Sequence, residues 1–506
     1  MSRAAAPLLA LALLCTSAPA LAATYRVAPP PTGDDGNDGS ATHPWATLQH
    51  AADQVGEGDT VVVAAGNYAG FNLGTTGAAG APITFSGETG AVIDSDNPDT
   101  PDGINVEGVS YVVIEGFTLT GLTRAGIRAA ECDHVTLRDN TADQNGRWGI
   151  FTAFCDDLVI EDNECSRSAA EHGIYASNSG DRPVIRRNRV WGNNGNGIHM
   201  NGDASMGGDG IITGALVEEN VIWENGAAGG SGINCDCVQD SVFRNNLLYD
   251  NHASGISLYM IDGAEGAKNN LVVNNTIVMA ADARWCLNIQ DASTGNTIHN
   301  NVLFNNHATH GSIDISADSL TGFVSDYNVV MDRLTTDDST TIQTLAQWRT
   351  STGQDAHSLV ATPAQLFVDV GAKDFHLGAT SPAVNAGTAT DAPPTDLDGH
   401  PRPQGAAVDI GAYEYGAAGP VDGGVPADAG GGDGGGGGDG GGAGDDAGAG
   451  DDAGAGDGPA GDGGTGGGGS GGCGCVTANG VPRTAWLLAA ALLPRLRGRR
   501  RRRTGR

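Results

Sequence analysis

The chain has 506 residues, 80 of them glycine, and its 60 acidic against 27 basic side chains leave a formal charge of −33. So acidic a protein lacks the basic face that nucleic acid requires, which excludes that partner. Aromatics at 5% and hydrophobics at 39% leave too little for a large helical core, so the length alone overstates the number of domains.

Residues 1–22 place Arg3 ahead of the apolar run PLLALALLC and end on Ala20-Leu21-Ala22. A basic start, an apolar stretch and a small-x-small site make a cleaved secretory signal, which predicts export. Beyond it the chain is periodic. Glycine followed by isoleucine recurs as Gly103-Ile104, Gly126-Ile127, Gly149-Ile150, Gly173-Ile174, Gly197-Ile198, Gly232-Ile233 and Gly255-Ile256, mostly 23 or 24 residues apart. A second apolar strand follows most of these and runs into an asparagine: Asn140, Asn163, Asn188, Asn220, Asn246, Asn275, Asn301 and Asn328. A unit of this length cannot bury its alternating apolar face alone, so stacked neighbours must complete the core. The repeat therefore predicts a solenoid of short strands. Asparagine tolerates left-handed backbone and bonds to its counterpart one coil away, which assigns these eight residues to the scaffold.

On these motifs the sequence resembles the right-handed parallel β-helix superfamily of pectate lyases and alginate-active enzymes, over roughly Thr24 to Gly416. The opening stretch GDDGNDGSATHPWATLQHAADQVGEGDTVVVAAGNY (33–68) is similar to the usual entry, implying a short capping helix near Leu48 to Gln54 before the first strand. The stretch SPAVNAGTATD…DLDGHPRPQGAAVDIGAYEY (381–415) resembles the closing element of bacterial members. The resemblance implies an all-β, single-domain right-handed parallel β-helix of about ten coils over residues 23–415, and a monomer is expected.

Residues 416–472 hold 30 glycines and ten aspartates among 57 residues, with no basic side chain. Such a segment cannot offset its ordering entropy and reads as a disordered, self-repelling tether. Residues 473–506 then carry Cys473-Gly474-Cys475, the apolar run AWLLAAALL and an arginine block from Arg499 to Arg503. This order resembles the C-terminal sorting tails of myxobacterial surface proteins, the family called MYXO-CTERM. That resemblance implies a sorting protease, cleavage near Cys473 or Cys475 and attachment at the cell surface, with the membrane met only through this tail. Taking Arg3 and the nine arginines of 473–506 away from −33 leaves −43 on residues 23–472, an acidity that suits bound cations or salty surroundings.

Cys132 and Cys155 each lie six residues after a repeat glycine, so they stack about 4.8 Å apart; an exported compartment permits either a disulfide or a reduced buried pair. Cys235 is expected to point inward.

With isoleucine inward, the next and alternate residues face outward. The outer row then reads Asn105, Arg128, Phe151, Tyr175, His199, Asn234, Ser257, Asn288 and Asp314, beside a second row that includes Asn201, Asp236 and Tyr259. Amides, aromatics and an imidazole in line suit an extended sugar chain, so Tyr175, Asn201, Asn234, Tyr259 and Asn288 are the candidate substrate-binding residues. Two coils are lengthened, by residues 201–210 and 260–268, which places walls on either side of a groove holding Asn234 and Asp236. The candidate catalytic residues are His199, Asp236 and Lys268, with His199 or Lys268 as base. The resemblance implies calcium as a cofactor, with Asp203 and Asp209 as metal ligands and Asp236 and Asp262 adding oxygens. Hydrolysis would need two carboxyl groups about 5 to 9.5 Å apart, which Asp203 and Asp236 satisfy on adjacent coils. Asp236 and Asp314 lie three coils apart, about 14 Å, and do not. Epimerisation would draw on His172 and Tyr175, although a histidine in the turn before a strand is ordinarily incidental. The function expected is binding, with processing by a uronate-type lyase or epimerase, of an extracellular polysaccharide. The alternative is a non-catalytic adhesin or glycan-binding module.

Overall fold

The computed structural model describes residues 22–416. Residues 1–21 of the signal segment expected over 1–22, residues 417–472 of the tether expected over 416–472 and the sorting tail lie outside the described residues. Three parallel sheets, of twelve, twelve and eleven strands, wind around one axis, and every coil visits them in the same order. One such coil is Ser110–Glu115 in the first sheet, Thr118–Thr120 in the second and Ala125–Ala130 in the third. The fold is the all-β solenoid expected, with about twelve coils instead of ten. The extra coils lack the glycine-isoleucine signature: the third sheet begins at Phe71–Leu73 and ends through Leu287–Ile289, Ile313–Ile315 and Leu334–Thr335.

Inward side chains stack on their own kind, because parallel pairing keeps each position in register. In the third sheet Ile104, Ile127, Ile150, Ile174, Ile198, Ile233, Ile256, Leu287 and Ile313 form one column, each with 0–1% exposure. Removal of one such side chain from water is worth about 1.5–3 kcal/mol. The glycine ahead of each isoleucine has a steric cause. A Cβ at Gly126 would meet the carbonyl oxygen of Gly149 at 2.7 Å, and one at Gly149 would meet that of Gly173 at 2.6 Å.

The asparagines form a continuous buried ladder where the first sheet bends into the second. Each side-chain amide donates to the carbonyl oxygen of the next, from Asn140 to Asn163 (3.1 Å) through to Asn301 and Asn328 (3.2 Å). A second ladder, Asn193 to Asn225 to Asn251, runs at the next corner and continues through Ser168, whose main-chain N–H donates to Asn193.

Both ends are covered. Helix α1 (Leu48–Gln54), capped by Thr47, lies over the N-terminal end as the resemblance implied. The strand Thr24–Val27 precedes it and pairs with Thr60–Val63. At the other end helix α2 (Leu345–Thr352) buries Trp348 against Phe323. The closing element instead packs sideways: Leu397, Ile410 and Ala412 share a core with Val278, Val302 and Val329 on the outer face of the second sheet. There the buried Arg402 pairs with Glu414 at 2.8 Å and also donates to Asn245. Cys132 and Cys155 are disulfide-bonded, with their Cα atoms 4.5 Å apart, and Cys235 points inward with 0% exposure.

Candidate functional site

Alternation along the third sheet turns one residue per coil outward beside each buried isoleucine. Pairing then places Asn105, Arg128, Phe151, Tyr175, His199, Asn234, Ser257, Asn288 and Asp314 in one column, about 4.8 Å apart. The neighbouring column runs Ser177, Asn201, Asp236, Tyr259.

Within these columns the structure assembles two hydrogen-bonded groups. Tyr175 and His199 stack with centroids 4.7 Å apart and planes at 7°, and Asn201 donates to the Tyr175 hydroxyl at 3.3 Å. One coil on, Asn234 donates to the Tyr259 hydroxyl at 2.8 Å. Trp148 and Phe151 pack with Tyr175 in a small buried apolar cluster toward the N-terminal end. Asn288 lies further along, accepting from Gln290 at 2.9 Å.

The remaining candidates do other work. Asp236 is 1% exposed, and its carboxylate accepts the main-chain N–H groups of Ile261 (2.9 Å) and Asp262 (2.7 Å). Burial raises its pKa, and those two bonds oppose the rise. It anchors the loop beneath which it lies. Lys268 donates to Glu265 at 2.7 Å, at the far end of that loop, so His199, Asp236 and Lys268 do not form one catalytic group. Asp203 accepts from the N–H and hydroxyl of Ser205 (2.9 and 2.6 Å), and exposed Asp209 accepts from the N–H of Ile211. Both carboxylates close turns of their own loop, and no pairing brings them to one cation.

The two long loops also differ from expectation. Ala204 N–H donates to Asp262 O at 2.8 Å and Ala264 N–H to Gly210 O at 3.0 Å. They meet over the coil of Asp236 and make a single wall along one side of the row, where two walls with a groove between them were expected.

Two residues weighed only in passing from the sequence have surroundings it did not indicate. His172, in the turn before Gly173, has 0% exposure and lies with Nε2 3.1 Å from Nδ1 of His199. The column preceding each repeat glycine (Trp148, His172, Asn196) would have found it. Asp314 is buried, and among the described residues no hydrogen-bond partner reaches its Oδ1. Burial, then the nearby Asp338 charge, push its pKa up to about 7.

Among the described residues, one set of three His, Cys, Asp or Glu side chains offers ligand atoms close enough to share an ion: Asp133, His134 and Asp157. It lies outside both long loops. His134 pairs with Asp133 at 2.7 Å and Arg182 with Asp157 at 2.7 Å. The cations nearest the outer row are committed as well: Arg128 donates to Asn105 (2.7 Å) and Glu107 (2.8 Å).

The fold is that of a pectate-lyase-like right-handed parallel β-helix. Over 78% of this chain and 97% of its own, the crystal structure of the pectate lyase Pel9A superposes with a TM-score of 0.55 at 18% identity. The alginate lyase from Paenibacillus sp. str. FPU-7 is 23% identical, with a TM-score of 0.42 over 50% of this chain and 91% of its own. Residues 55–206 match the family model described as periplasmic copper-binding protein (NosD). The uncharacterized protein YwoF of Bacillus subtilis (strain 168) is 26% identical over 437 residues, 70% of this chain and 91% of its own.

Proposed function

We propose that this protein is exported, held at the cell surface by its C-terminal tail, and binds an extracellular polysaccharide along the outer face of the third sheet. The observation that carries the reading is the in-register row of Tyr175, His199, Asn234, Ser257 and Asn288, with Asn201 and Asn234 hydrogen-bonded to tyrosine hydroxyls. Repeating hydrogen-bonding groups in register match a chain of repeating hydroxylated rings. The name of the pectate lyase that shares the fold supports a uronate polymer as the ligand. Turnover there would be β-elimination or C5-epimerisation.

Binding without turnover is favoured by one observation. Elimination requires the uronate carboxylate to be neutralised, yet Arg128 and Lys268 are ion-paired to Glu107 and Glu265.

The donor chemistry does not fit copper, the metal named for the family matching residues 55–206. Copper favours imidazole and soft sulfur. The imidazoles of His172 and His199 are buried and bonded to each other, Met200 is enclosed in the core, Cys165 is buried with its thiol pKa pushed up by that burial, and Cys132 and Cys155 are bridged. Asp133, His134 and Asp157 offer mainly oxygen, which suits a hard cation such as calcium, although their carboxylates are already paired with His134 and Arg182.

The test is to incubate the full chain with pectate and alginate, with and without calcium. Ultraviolet absorbance of unsaturated product reports elimination, and NMR of the recovered polymer reports epimerisation. Product lost in Tyr175→Phe and His199→Ala supports catalysis at this row. Retention on immobilised polyuronate with no product supports the binding module. Neither retention nor product refutes both.

A further inference from the structure

After Leu334–Thr335, the last strand of the third sheet, the chain folds back over the row. Leu334 and Gln343 close the fold-back with main-chain bonds of 3.0 and 2.8 Å. Between them Asp337 ties the turn, accepting from the Thr335 hydroxyl and the Thr341 N–H, each at 2.8 Å. The loop meets the row through Ser339. Its hydroxyl accepts from Trp285 Nε1 at 3.0 Å, two coils back, and lies 3.5 Å from Oδ2 of Asp314.

The group beneath that contact is poorly placed to carry charge. Asp314 is 5% exposed, and its Oδ1 has no hydrogen-bond partner among the described residues. The charges that face it from the loop, Asp338 and Asp337, have its own sign. Asp291 and Asp318, in the turns after Leu287–Ile289 and Ile313–Ile315, act on each other, and Asp338 acts on Asp291 as well. The basic groups of this end are spent on main-chain carbonyls: Arg333 on those of Asn305, His307 and Ala308, and His310 on that of Ala283. Burial first, then the Asp338 charge, raise the pKa of Asp314 to about 7, and the approach of Gln290 and Ser339 offsets only part of the rise.

We infer that residues 336–341 are a pH-gated cover over the C-terminal end of the outer row, closed while Asp314 is protonated and lifted when its ionised carboxylate must reach water. Lifting frees Asp314 together with Trp285, which is 3% exposed and tied to Ser339, and so lengthens the open row beyond Asn288. The sign follows from the two forms. Asp314 titrates near 3.8 when solvated in the open form and near 7 when closed. The ratio of open to closed therefore rises about tenfold per pH unit from about 4 to about 7, about a thousandfold in all, and is level above that. The gating of a ligand rests on the reading that this face takes a polysaccharide, but the cover's response to pH is a property of the protein alone.

The experiment is hydrogen–deuterium exchange of the full chain without ligand, read by mass spectrometry on a peptide spanning 336–343 from pH 4 to pH 8. Corrected for the intrinsic amide rate at each pH, the opening constant of the wild type is expected to rise about a thousandfold between pH 4 and pH 7 and then level off. In Asp314→Asn, which keeps the shape without the charge, it should stay flat. Ser339→Ala removes the tie but leaves Asp314, and should raise opening at pH 4 about tenfold. A wild-type opening constant independent of pH overturns the inference, as does a pH response retained in Asp314→Asn. An equal response in a peptide over Ile174–Ser177 marks general loosening and overturns it too. On immobilised polygalacturonate at constant salt, Asp314→Asn should be retained less than wild type at pH 8, opposite in sign to the loss of a negative charge. Ser339→Ala should be retained more than wild type at pH 5. If exchange behaves as expected but both variants are retained like wild type, the cover does not gate the row and the inference fails there. If the wild type is retained at neither pH, the proposed function fails and the pH-gated cover stands.

Discussion

Replacing Asn220 by alanine tests what holds the coils in register. Its Oδ1 accepts from the main-chain N–H and the side-chain amide of Asn188, each at 3.0 Å. Its own amide donates to Ile185 O at 2.9 Å and to Asn246 Oδ1 at 3.0 Å. Asn220 and Asn188 are both 0% exposed, so water cannot replace these bonds. Alanine strands two donors on Asn188, while the carbonyl of Ile185 keeps its place in the parallel ladder with residues 216–218 and Asn246 Oδ1 keeps the main-chain N–H of residue 220. Two buried donors at about 1–3 kcal/mol each predict a loss of about 2–5 kcal/mol. Urea unfolding at constant pH measures it as a lower midpoint at unchanged slope. Asn194→Ala, in an exposed turn with one long bond of 3.4 Å, is the control and should shift stability by about 0.5 kcal/mol or less. In the double variant Asn188→Ala, Asn220→Ala the loss should fall short of the sum, because the two singles break the same bonds. A loss under about 1 kcal/mol for Asn220→Ala, or strict additivity in the pair, refutes the account of the ladder as a coupled support.

Three further outcomes are expected. His376 lies between Asp398 (2.8 Å) and Asp374 (2.6 Å), and the bond to Asp398 first of all raises its pKa to about 9 from 6.5. A raised histidine stabilises the fold fully below pH 6.5 and loses that contribution as pH rises through about 9. For a side chain 35% exposed, screening leaves about 1 kcal/mol, so His376→Gln should lower Tm at pH 6 and leave it unchanged near pH 10. Asp314 has the opposite consequence: its cost is absent below pH 3.8 and grows as pH rises to about 7. Asp314→Asn is expected to be about 3 kcal/mol more stable than wild type at pH 8 and equal to it near pH 3; thermal unfolding at the two values decides. The Cys132–Cys155 bridge closes a segment of sequence separation 23, so Cys132→Ser, Cys155→Ser should lose about 3 kcal/mol in urea. Peptide mapping without reductant should recover the linked pair.

Much of the scaffold was legible because a solenoid repeats its constraints. Parallel stacking puts the same position of every coil in the same surroundings, so the glycines, isoleucines and asparagines recur at the period of the fold. Terminal coils such as Phe71–Leu73 and Leu334–Thr335 escaped the count because they meet caps instead of neighbours and drop the signature. The second ladder was also present in sequence, five residues after the first, as Asn188 with Asn193 and Asn220 with Asn225. Its interruption by Ser168 at the position between Asn145 and Asn193 hid it.

The site was legible only as a direction. Alternation alone determined that Tyr175, His199, Asn234 and Asn288 face outward in one line, because a strand has a period of two whatever surrounds it. What each polar group spends its hydrogen bonds on depends on atoms distant in sequence, and only the tertiary structure decided that. Asp236 is consumed by the N–H groups of residues 261 and 262, Lys268 by Glu265, and the two long loops by each other. His172, incidental by position, faces His199 because adjacent coils bring residues 27 apart within 3.1 Å. Periodicity records which way a residue points; its partner is chosen by whichever coil and loop pack against it.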